Sequence, residues 1–270
     1  MQEENAYILG TDKEELFRLG LQHQIWASEA QTGWAKAGFT AGQTLLDLGC
    51  GPGFATRELA FIAGKSGKVI GVDLSKNYIE FLNQVSESHG LRIEGFHSDF
   101  NDMDLPAESL DGVYCRWAMA WIPNPKEILQ KVAGNLKRGG KVVLHEYYDW
   151  STHQTEPLMP HLSQAIGACL RSFKEQSGDI DVGRELPRIL AEVGLEVTSI
   201  RPMAKMAKPN DITWQWPRSF YEIYFPKLVE MGFLTTDVVE KAMQDLVKLE
   251  QTPGASLCCP LLIEVIAEKK

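Results

Sequence analysis

Residues 45–54 read LLDLGCGPGF, and Asp73 stands twenty residues after the last glycine of that run, in VIGVDLS. The first half reads as a buried strand: apolar throughout except for Asp47, an acid placed just before the glycines. Gly49, Gly51 and Gly53 then remove side chains at alternate positions, which lets the chain turn sharply and lets a ligand approach the backbone. ATRELAFIA follows as a helix with Leu59, Ala60 and Ala63 on one face, closed by Gly64, and KVIGVDL as a second strand. Strand, glycine turn, helix, strand and acid is the opening of a parallel α/β unit with its ligand at the strand ends. A dinucleotide fingerprint, G-x-G-x-x-G, would need glycine at position 54, where Phe54 stands. The carboxylate of Asp47 would also repel a pyrophosphate and attract a cation. The pattern points to a nucleotide-like ligand that carries positive charge and no phosphate.

The same alternation continues outward. Ser75 caps a helix bearing Ile79, Leu82 and Val85; LRIEGFHSD and LDGVYCRW are strands; Pro125 opens a helix carrying Ile128, Leu129, Val132 and Leu136. Gly139-Gly140 turns the chain into KVVLHEYY, a fifth strand, and LPRILAEVGLEVTSIRPM adds a helix, a glycine stop and another strand before PLLIEVIAEKK closes the chain. Near-continuous apolar strands between helices predict an α/β fold, a doubly wound, Rossmann-like, mostly parallel sheet covered on both faces. The expected organisation is a single domain spanning 1–270. Two helices over 1–40 form an N-terminal cap, 41–150 the ligand-binding core, 151–180 and 203–257 lid elements, and 181–202 with 258–270 the distal strands of the core sheet. Seven aromatics fall within residues 213–233, where Tyr221, Tyr224, Phe225 and Leu228 recur at helical spacing.

Composition excludes several classes. The formal charge of −9 argues against a nucleic-acid partner, whose phosphates require a basic footprint. The five cysteines show no C-x-x-C spacing and read as reduced, buried thiols of a cytoplasmic protein. MQEENAY has neither a basic nor an apolar region of a signal peptide, and SLCCPLLIEVIA is too short and too interrupted to span a membrane.

LLDLGCGPGFAT, VIGVDLS, HSDF and LKRGGKVVLHE, in this order and spacing, resemble the successive motifs of class I S-adenosylmethionine-dependent methyltransferases. YILGTDKEELFRLGLQHQIW is similar to the capping helices of the small-molecule branch, near the quinone- and polyketide-modifying enzymes. S-Adenosyl-L-methionine, with an ammonium, a sulfonium and no phosphate, suits the acid before the glycine turn. The resemblance implies that Asp47, Gly49, Gly51 and Gly53 hold the methionine moiety, that Asp73 accepts both ribose hydroxyls, that Leu74 packs on the adenine and that Asp99, followed by Phe100, bonds its amine. It places the backbone of Arg116 beside the methionine part and gives His23 and Trp26 to the helix covering the cofactor.

Methyl transfer is a direct displacement at an activated carbon, so a site needs orientation, exclusion of water and sometimes a base for the O, N or C nucleophile. The base candidates at the end of the fifth strand are His145, Glu146, Tyr147 and Tyr148, of which His145 and Tyr147 share one face, with His153 and His161 in the segment that follows. Trp214, Tyr221 and Tyr224 are candidate walls for a small, partly apolar acceptor. No acid spacing marks a metal site, and NPPY, typical of enzymes that methylate nucleic-acid amines, is replaced by CRWAMAW. Two other classes use similar motifs. A nicotinamide oxidoreductase would need the third glycine at 54 and a Tyr-x-x-x-Lys relay, which YFPKL is not. A cyclase-like or regulatory descendant would keep every cofactor motif without transferring a methyl group. Oligomeric state has no signature in the sequence.

Overall fold

The computed structural model describes residues 13–175 and 178–270. Its core runs α1 (Lys13–Ala37), β1 (Thr44–Leu48), α2 (Phe54–Ala63), β2 (Lys68–Asp73), α3 (Lys76–His89), β3 (Ile93–His97), β4 (Leu110–Arg116), α4 (Pro125–Asn135) and β5 (Leu136–Asp149). After it come β6 (Gln154–Glu156), α5 (Pro160–Lys174), α6 (Leu186–Glu192), β7 (Leu195–Met203), β8 (Met206–Ala207), α7 (Ile212–Glu230), α8 (Thr236–Glu250), β9 (Ser256–Cys258) and β10 (Leu261–Lys269). The large sheet has the order β3-β2-β1-β4-β5-β10-β7, parallel from β3 to β5, with β10 antiparallel to both its neighbours. Strand order reverses between β1 and β4, and a doubly wound sheet opens a ligand crevice at the carboxyl ends beside that point.

Local chemistry explains the elements. Leu45, Leu46 and Leu48 are wholly buried because helices cover both faces of β1. Gly53 starts α2 at φ +82°, and Gly64 ends it at φ +65°. The Ser75 hydroxyl accepts the amide of Tyr78 and caps α3, as its position predicts.

Of the expected pair of amino-terminal helices, one lies within the described residues. It is α1, unbroken for 25 residues; residues 1–12 lie outside the described residues. Gly20 and Gly33 do not break it but let it approach its neighbours. A Cβ on Gly20 would lie 3.0 Å from the Phe54 ring, and one on Gly33 2.7 Å from Glu264. The two lid stretches are joined by a feature with no sequence signal, a small antiparallel sheet β6-β9-β8. Cys258 therefore belongs to this sheet, and the last strand of the core begins at Leu261 rather than 258.

Candidate active site

A cavity of about 440 Å³ opens over the carboxyl ends of β1, β2 and β4, between α1, α7 and the 150–180 segment. Its acids gather at one end. Asp47, at 2% exposure, accepts the Thr56 hydroxyl at 2.6 Å, and burial pushes its carboxyl up to about 6. Asp73 accepts the amide of Gly51 on one oxygen and that of Ser75 on the other, each at 2.8 Å, so its orientation is fixed from within the fold. Burial raises its pKa, against the pull of those amides. Asp99 accepts the Asn101 amide at 2.7 Å in the loop after β3. Leu74 and Phe100 line the same end, Leu74 at 43% exposure. Gly51 has φ +52° and open space where a Cβ would stand, so the backbone there faces the cavity bare.

α1 roofs this end through a polar chain. Arg116 Nη2 donates to His23 Nδ1 at 3.0 Å, which leaves the proton on Nε2, donated to Glu58 at 2.9 Å. Burial lowers the His23 pKa, against the opposing bond to Glu58, and keeps the ring neutral.

The other end is aromatic. Trp117, Trp121, Tyr147, Trp150, Phe173, Trp216 and Phe220 line it, together with Pro217, Ile180 and His153. Trp117 stacks between Tyr147 and Trp216, with centroids 6.0 and 5.7 Å away and both planes within 26°. Among the described residues no carboxylate lines this end. His153 is saturated: its Nδ1–H donates to the Cys258 carbonyl at 2.8 Å and its Nε2 accepts the Tyr221 hydroxyl at 2.6 Å. Burial drives its pKa down to about 4.

Several sequence-predicted residues stand elsewhere. His145 and Tyr147 share a face, as alternation requires, but only Tyr147 reaches the cavity. His145 is sealed under α1 at 1% exposure, its Nε2–H on Glu264 at 3.0 Å and its Nδ1 toward Tyr114 at 3.4 Å, so it has no path to an acceptor. Trp26 lies one layer behind the wall, edge-on to Trp117 and Trp216, because helical spacing turns His23 and not Trp26 inward. Gly53 faces α3 rather than the ligand; a Cβ there would come within 2.2 Å of Leu82. Trp214, Tyr221 and Tyr224 are buried in the lid core on Glu250, His153 and Ser172, because the apolar stripe of α7 packs inward and the adjoining stripe of Trp216, Pro217 and Phe220 faces the cavity. Trp216 and Phe220 are spaced i, i+4, the signal that could have singled them out.

Residues 45–140 match the model of a methyltransferase domain. The chain is 27% identical over 213 residues to a demethylmenaquinone methyltransferase of Bacillus licheniformis, covering 72% of this chain and 87% of that one. It is 25% identical over 209 residues to a sterol 24-C-methyltransferase of Eremothecium gossypii, covering 73% and 51%. The domain match, these relatives and the fold together support a class I S-adenosylmethionine-dependent methyltransferase acting on small molecules. Its fold matches the geranyl diphosphate C-methyltransferase of Streptomyces coelicolor A3(2), solved with Mg2+, a substrate analogue and S-adenosylhomocysteine, at TM-score 0.57 and 15% identity over 92% of this chain and 77% of that one. The cofactor of this methyltransferase is S-adenosylmethionine, and the acid-rich end of the cavity fits it: Asp47, Asp73 and Asp99 suit a ligand that carries an ammonium and a sulfonium and no phosphate. Neither a nicotinamide oxidoreductase nor a cyclase-like descendant is favoured by these matches.

Proposed function

We propose that the two ends of the cavity divide the reaction, cofactor at the acids and a planar, partly apolar small molecule at the aromatics. The observation that carries this reading is the absence of carboxylates among the described residues of the aromatic end, beside a cofactor end that holds three. Asp73 holds the ribose hydroxyls on its remaining lone pairs, Asp99 the adenine amine, and Leu74 and Phe100 flank the base. Asp47 and the bare backbone at Gly49 and Gly51 face the methionine moiety. When bound, the cofactor supplies a methyl group on a positively charged sulfur. The chain's own residues align the acceptor against it and exclude water, with stacking surfaces from Trp117, Trp216 and Phe220. Tyr147 contributes the phenol of that wall, whereas His153, with both nitrogens bonded, holds the lid and abstracts no proton. A flat acceptor that is already nucleophilic suits such a wall better than an ammonium, which would seek a carboxylate.

A concave, aromatic-lined cavity on an acidic protein suits a small molecule rather than a nucleic acid. Among the described residues no helix is long and apolar enough to cross a membrane, and the reading places the enzyme in the cytoplasm. The test supplies a whole-cell extract with methyl-labelled cofactor and separates products by size. Label in the dialysable fraction is expected; label confined to protein or RNA overturns the assignment.

A further inference from the structure

Glu146, at the carboxyl end of β5, is completely buried. A carboxyl group removed from water needs hydrogen-bond partners or becomes neutral. Its Oε1 accepts two successive backbone amides, those of Ala118 at 3.0 Å and Met119 at 2.9 Å. The preceding amide, of Trp117, donates to the carbonyl of His145 at 3.1 Å. Three consecutive N–H groups of one turn therefore converge on residues 145 and 146. Burial pushes the Glu146 carboxyl up to about 8, against the pull of these amides, so the neutral acid predominates near pH 7.

The turn so held is unusual in its backbone and central in its contacts. Trp117 has φ +57°, the left-handed region that a bulky residue enters only when its surroundings impose it. Ala118 presses against the cofactor loop: a Cβ on Gly49 would stand 2.4 Å from the Ala118 methyl. Trp117 forms the middle of the stacked wall, and Trp121 packs edge-on against Phe173 at 5.5 Å. The same five residues thus touch the cofactor end on one side and the acceptor end on the other.

We propose that Glu146 is a positioning residue that locks the 117–121 turn and so sets the alignment between cofactor and acceptor. It touches neither reactant and moves no proton. The inference rests on the proposed division of the cavity for its effect on turnover, but the lock itself is measurable without any acceptor.

Amide hydrogen exchange of the full chain is the first readout. The amides of Ala118 and Met119 are protected in the wild type and in Glu146→Gln, whose side-chain carbonyl accepts the same bonds, and exposed in Glu146→Ala. Turnover, read as labelled methyl in the dialysable fraction, falls on the order of a hundredfold in Glu146→Ala, the scale of a misalignment of about an ångström. It falls far less in Glu146→Gln, and affinity for S-adenosylhomocysteine drops less than turnover does. Should Glu146→Ala fail to fold, Glu146→Met, of similar length and without an acceptor, takes its place. Unprotected amides at 118 and 119 in the wild type overturn the proposal, as does full turnover in Glu146→Ala. A loss in Glu146→Gln as deep as in Glu146→Ala overturns it too, because the amide clamp, which Gln keeps, would then not be what matters. Failure of the methyltransferase reading would look different: the wild type would not bind S-adenosylhomocysteine at all.

Discussion

The cofactor end of the cavity and its acceptor end are built in opposite ways. At the cofactor end the groups come from strand ends and the loops that follow them. Asp47, Asp73 and Asp99 stand near the ends of three neighbouring strands, and all three are held by the fold itself, Asp73 and Asp99 by backbone amides and Asp47 by the Thr56 hydroxyl. At the acceptor end the walls come from elements far apart in sequence, among them β5, α5 and α7, and their positions are fixed by packing. The contrast teaches that a ligand held by a strand-end loop leaves a local signature, whereas one held by assembled side chains does not.

Breaking the roof should produce the largest effect. Glu264, buried, accepts His145 at 3.0 Å and Arg201 at 2.9 and 3.0 Å, and Arg201 also pairs with Glu29 of α1. Burial raises the Glu264 pKa, but the bonds from His145 and Arg201 outweigh it and hold the carboxyl at about 2. Glu264→Ala should cost about 3–5 kcal/mol of stability, as expected when one partner of a buried ion pair is removed. Because the folded pKa lies below the unfolded one, the Glu264 contribution is complete above about pH 4.5 and fades as pH falls toward 2. Urea unfolding across that range should show this acid loss in the wild type and not in Glu264→Gln.

The glycine loop sharpens the comparison within one end. Gly53→Ala meets Leu82 and a left-handed backbone, and should lose roughly 2–4 kcal/mol from overpacking and backbone strain together. Gly51→Ala has open space and should cost only about 1 kcal/mol of stability, while its methyl group intrudes on the cofactor. Thermal melts with and without S-adenosylhomocysteine separate the two: ligand should still raise the midpoint of Gly53→Ala, as it does that of the wild type, and should raise that of Gly51→Ala poorly.

Between the ends the effects should split by ligand. Asp73→Ala should weaken S-adenosylhomocysteine by about 1.5–3 kcal/mol, the range for hydrogen bonds to a charged group. Phe220→Ala should leave that affinity within about 0.5 kcal/mol, as for a site that does not touch the ligand, and impair methyl transfer instead. Equal losses of affinity in both variants would erase the division.

The legibility of the sequence follows the same line. The sheet, Ser75 as a cap, the three acids and the glycine turn could be read because each depends on a few neighbouring residues. Strand alternation gives the face of His145 and not the depth at which α1 seals it. Periodicity shows that α7 has an apolar side, which the Tyr221 stripe fills as lid core, and not that the cavity takes the residues at that side's edge. The β6-β9-β8 sheet pairs Thr155 with Leu257 and Ala207 with the same Leu257, separations too long to leave a local trace. Glu146 was one of four polar residues at a strand end, and its role depends on where the 117–121 turn lies in space.

The most direct measurement is a calorimetric titration of the purified protein with S-adenosylhomocysteine and, separately, with NADH. A ligand bound only by the native state must also raise the thermal midpoint, so a melt in each ligand accompanies the titration. The account predicts one S-adenosylhomocysteine per chain with a raised midpoint, and neither effect from NADH. Binding of NADH without binding of S-adenosylhomocysteine would contradict it.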